Sequence, residues 1–335
     1  MSERNTQVLL RTRPEGKLSP DHFEIRQVAM PEAADGEVVV RSVLLSLDAA
    51  NRAWMQGATY KSAVEEGDVM HGYAIGEVVT GGERFEPGDL VAGELGWQQY
   101  AAMREKALQR MPDHRPISHL HSLLGIAGKT AYHGLLNVAG IEAEETLLVS
   151  AAAGSVGSIV GQIGRIRGAH VVGIAGGAEK CAWVRDELGF HACIDYKNDD
   201  VAEAIRRHCP NGVDVYFDNV GGPILQAALF AMNLRGRIAC CGAVSQYDTA
   251  EPRSPAGIPG LLVVKRLRME GFIVMDFADR DDEAQRDLLE WSRSGELRVA
   301  EDVLEGIESA PAGLVGLLAG ENRGKRMVRV GPDPA

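Results

Sequence analysis

The second half of the chain alternates short apolar runs with helical patterns. The apolar runs read as strands at residues 147–150, 170–175, 193–195, 213–217, 237–241 and 269–274. Helical spacing of apolar residues fills the intervals at 177–188, 201–208 and 223–232. Because strands that alternate with helices form parallel sheets covered on both faces, this region is predicted to be a doubly wound α/β domain.

The first 125 residues have a different pattern. Runs at 37–47, 76–79 and 89–91 read as strands, with turn residues at Gly81-Gly82 and at 86–89 between them. No long amphipathic helix interrupts the first hundred residues, so a mainly β domain is expected. A helical pattern at 122–138 marks the change of domain.

The C-terminal tail carries two helical patterns, at 287–294 and 310–319, and then a strand at 326–330. That strand has no strand–helix–strand partner of its own, so it is expected to return to the first domain. The sequence therefore predicts domains at 1–125 and 126–285, with a returning segment at 286–335.

A strand, a turn of small residues and a helix follow one another from residue 147. Gly154 and Gly157 occupy the second and third glycine positions of a G-x-G-x-x-G pattern, and Ala152 occupies the first. Small residues let the backbone approach a pyrophosphate, whose charge is stabilised at the helix N-terminus. The turn predicts dinucleotide binding, and an ordinary tight strand–helix turn is the alternative.

The second strand of the α/β domain ends in Gly176-Gly177, where NAD-binding folds usually carry an acidic residue. Lys180 follows three residues after Gly177, so the charge fits a 2′-phosphate better than a ribose hydroxyl. This pattern predicts NADP(H). A surface lysine is the alternative for Lys180, and Glu179 is the nearest acid that would suit NAD. Tyr196, after the third strand, is a further candidate for the phosphate.

Composition narrows the class of protein. The chain has 335 residues and a formal net charge of −12, which disfavours binding to nucleic acid. No apolar stretch is long enough to span a membrane, and the N-terminus has no secretory pattern. Five cysteines without C-x-x-C spacing are typical of reduced thiols, so a soluble, cytoplasmic protein is expected.

A family resemblance rests on motifs along nearly the whole chain. The matching segments are 151–158, 161–162, 171–176, 179–180, 195–197, 217–222, 241–247, 270–274 and 320–325. In these segments the sequence resembles the zinc-independent medium-chain dehydrogenase/reductases, and in particular the leukotriene B4 dehydrogenase/prostaglandin reductase and curcumin reductase group.

The resemblance implies a Rossmann-type domain, a GroES-like catalytic domain and NADPH-dependent reduction of a double bond conjugated to a carbonyl. It implies a small hydrophobic enone or enal as substrate and, by analogy, a homodimer formed at the sheet edge. It places Lys180 and Tyr196 at the 2′-phosphate and Asn219 near the cofactor ribose. For Asn219, a plain turn after the fourth strand is the alternative. The implied cofactor contacts are Thr130, Ala153, Gly154, Val156, Gly157, Gly177, Lys180, Tyr196, Asn219, Gly242, Ser245, Tyr247, Phe272, Ile273, Val274 and Asn322.

The zinc-ligand motif G-H-E-x-x-G-x-V of metal-dependent relatives is altered. Counting back from Gly76, the histidine position is Gly72 and the glutamate position is Tyr73, while His71 is one residue out of register. No cysteine precedes Cys181, so thiolate ligands are also missing from the first domain. No metal is expected, and His71 reads as a structural histidine.

The substrate end departs from the family. Hydride transfer to the β-carbon leaves negative charge on the carbonyl oxygen, which needs a hydrogen-bond donor, and the α-carbon needs a proton. Two family tyrosines are replaced here by Ala50 and Val264. The remaining candidates are Tyr73, Tyr247 and Asn51, each of which also fits an ordinary loop or interface position.

Two other functions stay open on the sequence alone. A quinone reductase of the zeta-crystallin type would use the same cofactor, but the Gly-Gly-x-x-Lys and Ser-Gln-Tyr segments favour the enone reductase. A catalytically idle NADPH-binding protein would fit the loss of both tyrosines. The physiological substrate, the proton donor and the stereochemistry of hydride transfer are not determined by the sequence.

Overall fold

The computed structural model describes residues 4–59, 61–249 and 255–334, and the chain divides into two compact units. The first unit runs to Leu120 and includes Asp302–Glu321 and the described residues from Arg326 onward. The second unit is His121–Glu301 with Asn322–Lys325. The sequence-based boundaries at 125 and 285 stay predictions; in this division residues 286–301 and 322–325 group with the second unit.

The first unit is mainly β. Its first strands and helix are β1 (Arg4–Leu10), β2 (Phe23–Ala29), β3 (Glu37–Ser46), α1 (Ala50–Gln56), β4 (Ala74–Val78), β5 (Leu90–Gly93), β6 (Tyr100–Arg104) and β7 (Gln109–Arg110). β1 and β2 pair with each other, and β3 pairs with β4 and β6 in antiparallel fashion. The Val- and Leu-rich β3 is almost wholly buried, which explains why it forms the centre of the sheet.

The second unit begins with α2 (Ile126–Tyr132), which continues as a π-helical stretch, His133–Ala139. The elements that follow are β8 (Thr146–Ser150), α3 (Ser155–Ile166), β9 (His170–Ala175), α4 (Ala178–Asp186), β10 (Ala192–Asp195), α5 (Val201–His208), β11 (Val213–Asp218), α6 (Gly222–Ala231), β12 (Met232–Cys240), α7 (Ile258–Lys265), β13 (Arg268–Gly271) and α8 (Asp281–Ser294).

The sheet of the second unit has the strand order β10-β9-β8-β11-β12-β13, and its pairs are parallel. The order reverses between β8 and β11, so the carboxyl ends of these two strands form the crevice where doubly wound sheets bind ligands. The prediction of a doubly wound α/β fold beside a mainly β domain is confirmed.

Two elements differ from the sequence-based prediction. The strand expected at 237–241 begins earlier, at Met232, because a register irregularity with Arg235 at a φ of 63° lets the chain bend within β12. The strand expected at 269–274 ends at Gly271, and a 3-10 stretch begins at Val274. Phe272 and Ile273 therefore lie in the turn between them.

The C-terminal residues add β14 (Glu301–Glu305), α9 (Ala310–Leu318) and β15 (Lys325–Arg329). β15 pairs antiparallel with β3, with Met327 opposite Ser46, and completes the order β14-β15-β3-β4-β5-β7. The last strand therefore belongs to the sheet of the first unit. Among the described residues, no helix has the length and apolar character needed to cross a membrane.

Candidate active site

The turn between β8 and α3 brings two backbone segments into direct contact. A Cβ added at Gly157 would lie 2.3 Å from the carbonyl oxygen of Ala151, an atom that cannot move without rebuilding the turn. A Cβ at Gly154 would lie 3.2 Å from the same oxygen. Ala151 adopts a φ of 50°, which turns the chain sharply into the helix. The N-terminus of α3 is thus open to a close backbone approach, as anion sites at helix N-termini require.

Residues 322–325 lie against this turn. The amide of Gly324 donates to the carbonyl of Ala153 at 2.8 Å, and Gly324 forms a parallel bridge with Gly154. Asn322 is 8% exposed, and its side-chain amide donates to the carbonyl of Gly324 at 2.8 Å. Its own carbonyl accepts from Nζ of Lys180 at 2.5 Å. Asn322 and Lys180 are therefore neighbours, which sequence distance alone does not indicate.

The carboxyl end of β9 presents no acidic side chain. Gly176 and Gly177 follow the strand, and Lys180 is in the first turn of α4. A Cβ at Gly176 would lie 2.8 Å from Cε1 of Tyr196 and 3.0 Å from Cε of Lys197. These two side chains therefore cover Gly176, and Tyr196 remains 43% exposed.

Asp218 organises the carboxyl end of β11. Its Oδ1 accepts hydrogen bonds from the hydroxyl of Tyr216 at 2.8 Å and from the amides of Val220 and Gly221 at 3.0 and 2.8 Å. The Ser150 hydroxyl also reaches it, at 3.3 Å. Burial nevertheless raises the pKa of Asp218 above its usual value. The network fixes the loop that follows β11.

Asn219, the next residue, is held by the end of β8. Its backbone amide donates to the Ser150 hydroxyl at 2.9 Å, and its side-chain amide donates to the Ser150 carbonyl at 2.8 Å. Asn219 thus sits between the two strands at which the sheet order reverses. The ribose contact expected of Asn219 stays a prediction.

The loop after β12 contains three of the expected cofactor contacts. The Gly242 amide donates to the carbonyl of Asp218 at 3.1 Å, and the Ser245 hydroxyl donates to the carbonyl of Val220 at 2.6 Å. The Tyr247 hydroxyl accepts from the amide of Ala243 at 3.1 Å. The loop therefore packs beside Asn219, and Tyr247 braces its own loop through its phenol oxygen.

The remaining expected contacts lie on three other segments. Thr130 is in α2 and is 8% exposed, and Val156 is partly buried in the first turn of α3. The Phe272 ring packs edge-on against Phe217 of β11 at 6.2 Å between centroids. Ile273 is 36% exposed, and Val274 begins the following 3-10 stretch.

Asp195 and Lys197 did not emerge from the sequence patterns. Asp195 ends β10, and its Oδ1 accepts from the Gly177 amide at 2.7 Å. Lys197 lies over Gly176, as described above. The available signal was the Asp-Tyr-Lys segment itself, in which only the tyrosine was assigned a role.

The first unit carries the altered zinc-ligand segment. A Cβ at Gly72 would lie 2.5 Å from Cδ1 of Trp97 and 2.7 Å from Cδ1 of Leu45. The indole of Trp97 thus fills the space that a ligand side chain at position 72 would need. In the part of the chain that the structure describes, no group of three or more His, Cys, Asp or Glu side chains could hold a metal ion.

His71 and Tyr73 flank Gly72 and are both partly buried. Burial raises the pKa of Tyr73, and the nearby carboxylate of Glu94 raises it further, so the phenol keeps its proton. Burial and the Lys61 ammonium lower the pKa of His71, so this imidazole is neutral near pH 7. Tyr73 is therefore a competent hydrogen-bond donor.

Asn51 makes two local hydrogen bonds, and its expected contact with the substrate stays a prediction. Asn51 is 1% exposed, its Oδ1 accepts from the amide of Asp48 at 2.8 Å, and its Nδ2 donates to the carbonyl of His71 at 3.0 Å. The side chain thus anchors the start of α1 to the altered segment. A buried amide with both ends bonded to backbone is a positioning group.

The two positions at which the family carries tyrosines, Ala50 and Val264, differ in their exposure to solvent. Ala50 is the first residue of α1 and packs, partly buried, against the core of the first unit. Val264 is 67% exposed near the end of α7.

Family models match both units. Residues 6–111 match the model described as the N-terminal domain of oxidoreductase, and residues 155–292 match the model described as zinc-binding dehydrogenase. The combination of a mainly β unit with a glycine-turn parallel sheet is that of an oxidoreductase that binds a dinucleotide. The chain belongs to the medium-chain dehydrogenase/reductase family, and its altered metal segment is consistent with the zinc-independent branch.

Its relatives align over almost their entire length. The NADPH-dependent curcumin reductase of Escherichia coli is 39% identical over 99% of this chain and 98% of its own. The NADP⁺-dependent 2-alkenal reductase of Nicotiana tabacum is 37% identical over 97% of each chain. The crystal structure of CurA from Vibrio vulnificus in complex with NADPH superposes with a TM-score of 0.93, at 38% identity over 99% of this chain and 100% of that one.

Proposed function

We propose that the protein is an NADPH-dependent reductase of the carbon–carbon double bond of α,β-unsaturated ketones and aldehydes. The observation that carries the choice of cofactor is the link from Lys180 to the glycine turn, through Asn322 and Gly324. The 2-alkenal and curcumin reductases, which resemble this chain over nearly its full length, support the same reaction class.

The residues of the second unit fit NADPH. The close approach at Gly157 leaves the N-terminus of α3 free to accept the pyrophosphate, and α3 is long enough to carry a helix dipole. Lys180 and Tyr196 would hold the 2′-phosphate, and Asn219 would contact the ribose next to the nicotinamide. Thr130 and the backbone at Phe272–Val274 would hold the nicotinamide itself.

When bound, NADPH supplies the hydride for the β-carbon of the substrate. The chain must then stabilise the negative charge on the carbonyl oxygen. In this proposal Tyr73 donates a hydrogen bond to that oxygen, because its raised pKa keeps the phenol protonated. Asn51 holds the backbone at His71 and so orients the segment that carries Tyr73. The Tyr247 hydroxyl, already bonded to the Ala243 amide, is the second candidate donor.

Tyr73→Phe is expected to lower kcat by about tenfold, the size of one hydrogen bond to a developing charge, with an unchanged KM for NADPH. Because burial raises its pKa, the wild-type kcat should stay flat up to about pH 9 with respect to this donor. Steady-state kinetics of Tyr73→Phe, Tyr247→Phe and the control Tyr100→Phe would test this. A loss confined to Tyr247→Phe would move the donor to the second unit.

The substrate class is tested by following NADPH oxidation with a 2-alkenal, an aliphatic enone and a quinone in parallel. The proposal expects turnover of the first two with NADPH and a clear preference for NADPH over NADH. Preferential turnover of the quinone would identify a quinone reductase instead. NADPH binding without turnover across a broad enone panel would identify an idle cofactor-binding protein.

We also propose that the protein is a homodimer. β13 forms one edge of the sheet in the second unit, and no residue of the apolar helix α7 is fully buried. Val263 and Val264 of this helix are 74% and 67% exposed. Phe230 and Leu234 are 65% and 62% exposed, and they belong to the stretch whose Phe230 and Met232 carbonyls accept from Nζ of Lys265 in α7. Large exposed apolar side chains beside the outer edge of an edge strand favour an interface.

Val263→Glu is expected to convert the dimer into a monomer of 36.0 kDa, because a charge on this surface would have to be desolvated in the interface. Size-exclusion chromatography with light scattering would measure the mass. Ile25→Glu, at an exposed apolar residue of the first unit, is the matched control and should leave the mass unchanged. A wild-type protein that is already monomeric would overturn the proposal.

A cytoplasmic location is proposed on the state of the thiols. All five cysteines are free, and two of them are buried. Burial raises the pKa of Cys209, Cys240 and Cys241 to about 12, which keeps these thiols protonated and unreactive. Reduced thiols of this kind are typical of a reducing compartment.

A further inference from the structure

Asp195 is a buried carboxylate directly beside the proposed 2′-phosphate site. It is 8% exposed at the end of β10, and Tyr196 follows it. Its Oδ1 accepts from the backbone amides of Gly177 at 2.7 Å and Lys197 at 3.1 Å. Its Oδ2 accepts from the side-chain amide of Asn198 at 2.7 Å. Both carboxylate oxygens are therefore engaged by the protein.

These bonds join two loops that come from different strands. Gly177 lies between β9 and α4, and Lys197 lies after β10. The two strands are in register here, with Asp195 opposite Ala175, and the Tyr196 amide donates to the Ala175 carbonyl at 3.1 Å. The carboxylate thus links the loop that precedes α4, which carries Lys180, to the loop that carries Tyr196.

The side chain of Lys197 also lies at the carboxyl end of β9, beside the proposed 2′-phosphate site. A Cβ at Gly176 would lie 3.0 Å from Cε of Lys197, so this side chain folds back over the end of β9. Its ammonium group adds a second positive charge to that of Lys180 at this edge of the sheet. A phosphate dianion is held best by several such donors.

The Asp195 carboxylate is also stably ionised. Burial alone would raise its pKa, but hydrogen bonds from Asn198, Gly177 and Lys197 outweigh this effect and lower the pKa below its usual value. Its charge faces backbone amides, and a ribose hydroxyl would have to compete with them. This arrangement differs from that of the acidic residue in NAD-binding folds, which presents its oxygens to the ribose.

We propose that Asp195 is the positioning residue of the 2′-phosphate site and that Lys197 is a third phosphate contact. Asp195 holds the loops of Gly177 and Lys197 together, so that Lys180, Tyr196 and Lys197 face one point. This inference rests on the proposed NADPH site but not on the proposed substrate, so binding of the cofactor alone tests it.

The substitution Asp195→Asn distinguishes a positioning role from simple charge repulsion, because the two predict opposite changes in NADPH affinity. If Asp195 only repelled the phosphate, Asp195→Asn would bind NADPH more tightly than the wild type. If Asp195 positions the loops, Asp195→Asn weakens binding, because a neutral acceptor holds two amides less firmly than a carboxylate. We expect about a threefold loss for Asp195→Asn and about a tenfold loss for Asp195→Ala.

The experiment measures dissociation constants for NADPH, NADH, 2′,5′-ADP and 5′-ADP by fluorescence and calorimetry on the full chain. Positioning predicts weaker binding of NADPH and 2′,5′-ADP only, with NADH and 5′-ADP changed by less than about twofold. Asp200→Asn is the matched control, since it removes the same charge five residues away and keeps an acceptor for the Glu203 amide. It should leave all four constants unchanged.

A second variant keeps the test independent of folding. Lys197→Met leaves the backbone amide in place and changes an exposed side chain, and it is expected to weaken NADPH about fivefold without affecting NADH. Tighter NADPH binding by Asp195→Asn, or an equal loss for NADPH and NADH in Asp195→Ala, would overturn the positioning role. Unchanged NADPH binding by Lys197→Met would overturn the third contact. A protein that binds NADPH as expected but reduces no enone would refute the proposed function alone.

Discussion

Replacing Lys180 by alanine is expected to weaken NADPH binding by about a hundredfold, which corresponds to about 2.7 kcal/mol, and to leave NADH almost unaffected. The reason is that Lys180 places a positive charge in the first turn of α4. This turn is close to the position where an NAD-binding fold carries the acidic residue that binds the ribose 2′-hydroxyl. Loss of a charge-assisted contact to a phosphate, with the Asn322 carbonyl left without its donor, accounts for an effect of this size.

The measurement is the ratio of the two dissociation constants, with kcat at saturating cofactor beside it. Arg185→Ala is the matched control, because Arg185 is an exposed cation on the same helix whose partner is Asp186. It should preserve the NADPH preference. If Lys180→Ala bound NADPH and NADH with equally reduced affinity, the lysine would be a structural support of the 322–325 segment and not a phosphate contact.

Gly157→Ala is expected to abolish cofactor binding and to lower the free energy of unfolding by about 3 kcal/mol. The added methyl group would lie 2.3 Å from the Ala151 carbonyl oxygen, 2.9 Å from its carbonyl carbon and 3.1 Å from Cα of Ala152. All three atoms are backbone, so the turn must open and α3 must move away from it. The N-terminus that receives the pyrophosphate is then displaced.

Denaturant unfolding of the protein without cofactor, together with NADPH titration, measures both effects. Gly260→Ala is the matched control, since Gly260 is likewise the third residue of its helix and a Cβ there meets nothing within 4 Å. It should raise stability by about 0.5–1 kcal/mol, as Gly→Ala does in an open helix. A Gly157→Ala protein with native stability and NADPH affinity would mean that the turn is not closely packed.

The fold was predictable to the extent that its signals are local. The alternation of strands and helices from residue 146 onward is visible in the apolar periodicity, and the strands matched to within a few residues. The start of β12 was not predicted, because Arg235 adopts a left-handed φ that only the pairing with β11 supports. The sequence also did not predict that α2 continues as a π-helix. Gly134 in this stretch packs against the rings of Phe217 and Phe272, which are distant in sequence, so no local pattern indicates it.

The candidate site, like the fold, was predictable only where its signals are local in the sequence. The glycine turn and the Gly-Gly-x-x-Lys segment were found because each is contained in a short stretch. The bond from Lys180 to Asn322 spans 142 residues, and the bond from Asn51 to His71 uses a backbone carbonyl that no side-chain pattern encodes. The sequence patterns assigned no role to the Asp195 side chain, and its contact with Gly177 depends on the register between β9 and β10.

The packing of Tyr196 and Lys197 against Gly176 limits which substitutions could change the cofactor preference. An acidic residue at position 176 would be the shortest mutational route to NADH, but its Cβ would overlap the Tyr196 ring at 2.8 Å. The Tyr196 ring must therefore move or be replaced before an acid at 176 can be accommodated, and in the proposed site either change disturbs a contact to the 2′-phosphate. In the proposed site, a change of cofactor preference therefore involves positions 176 and 196 together and not position 176 alone.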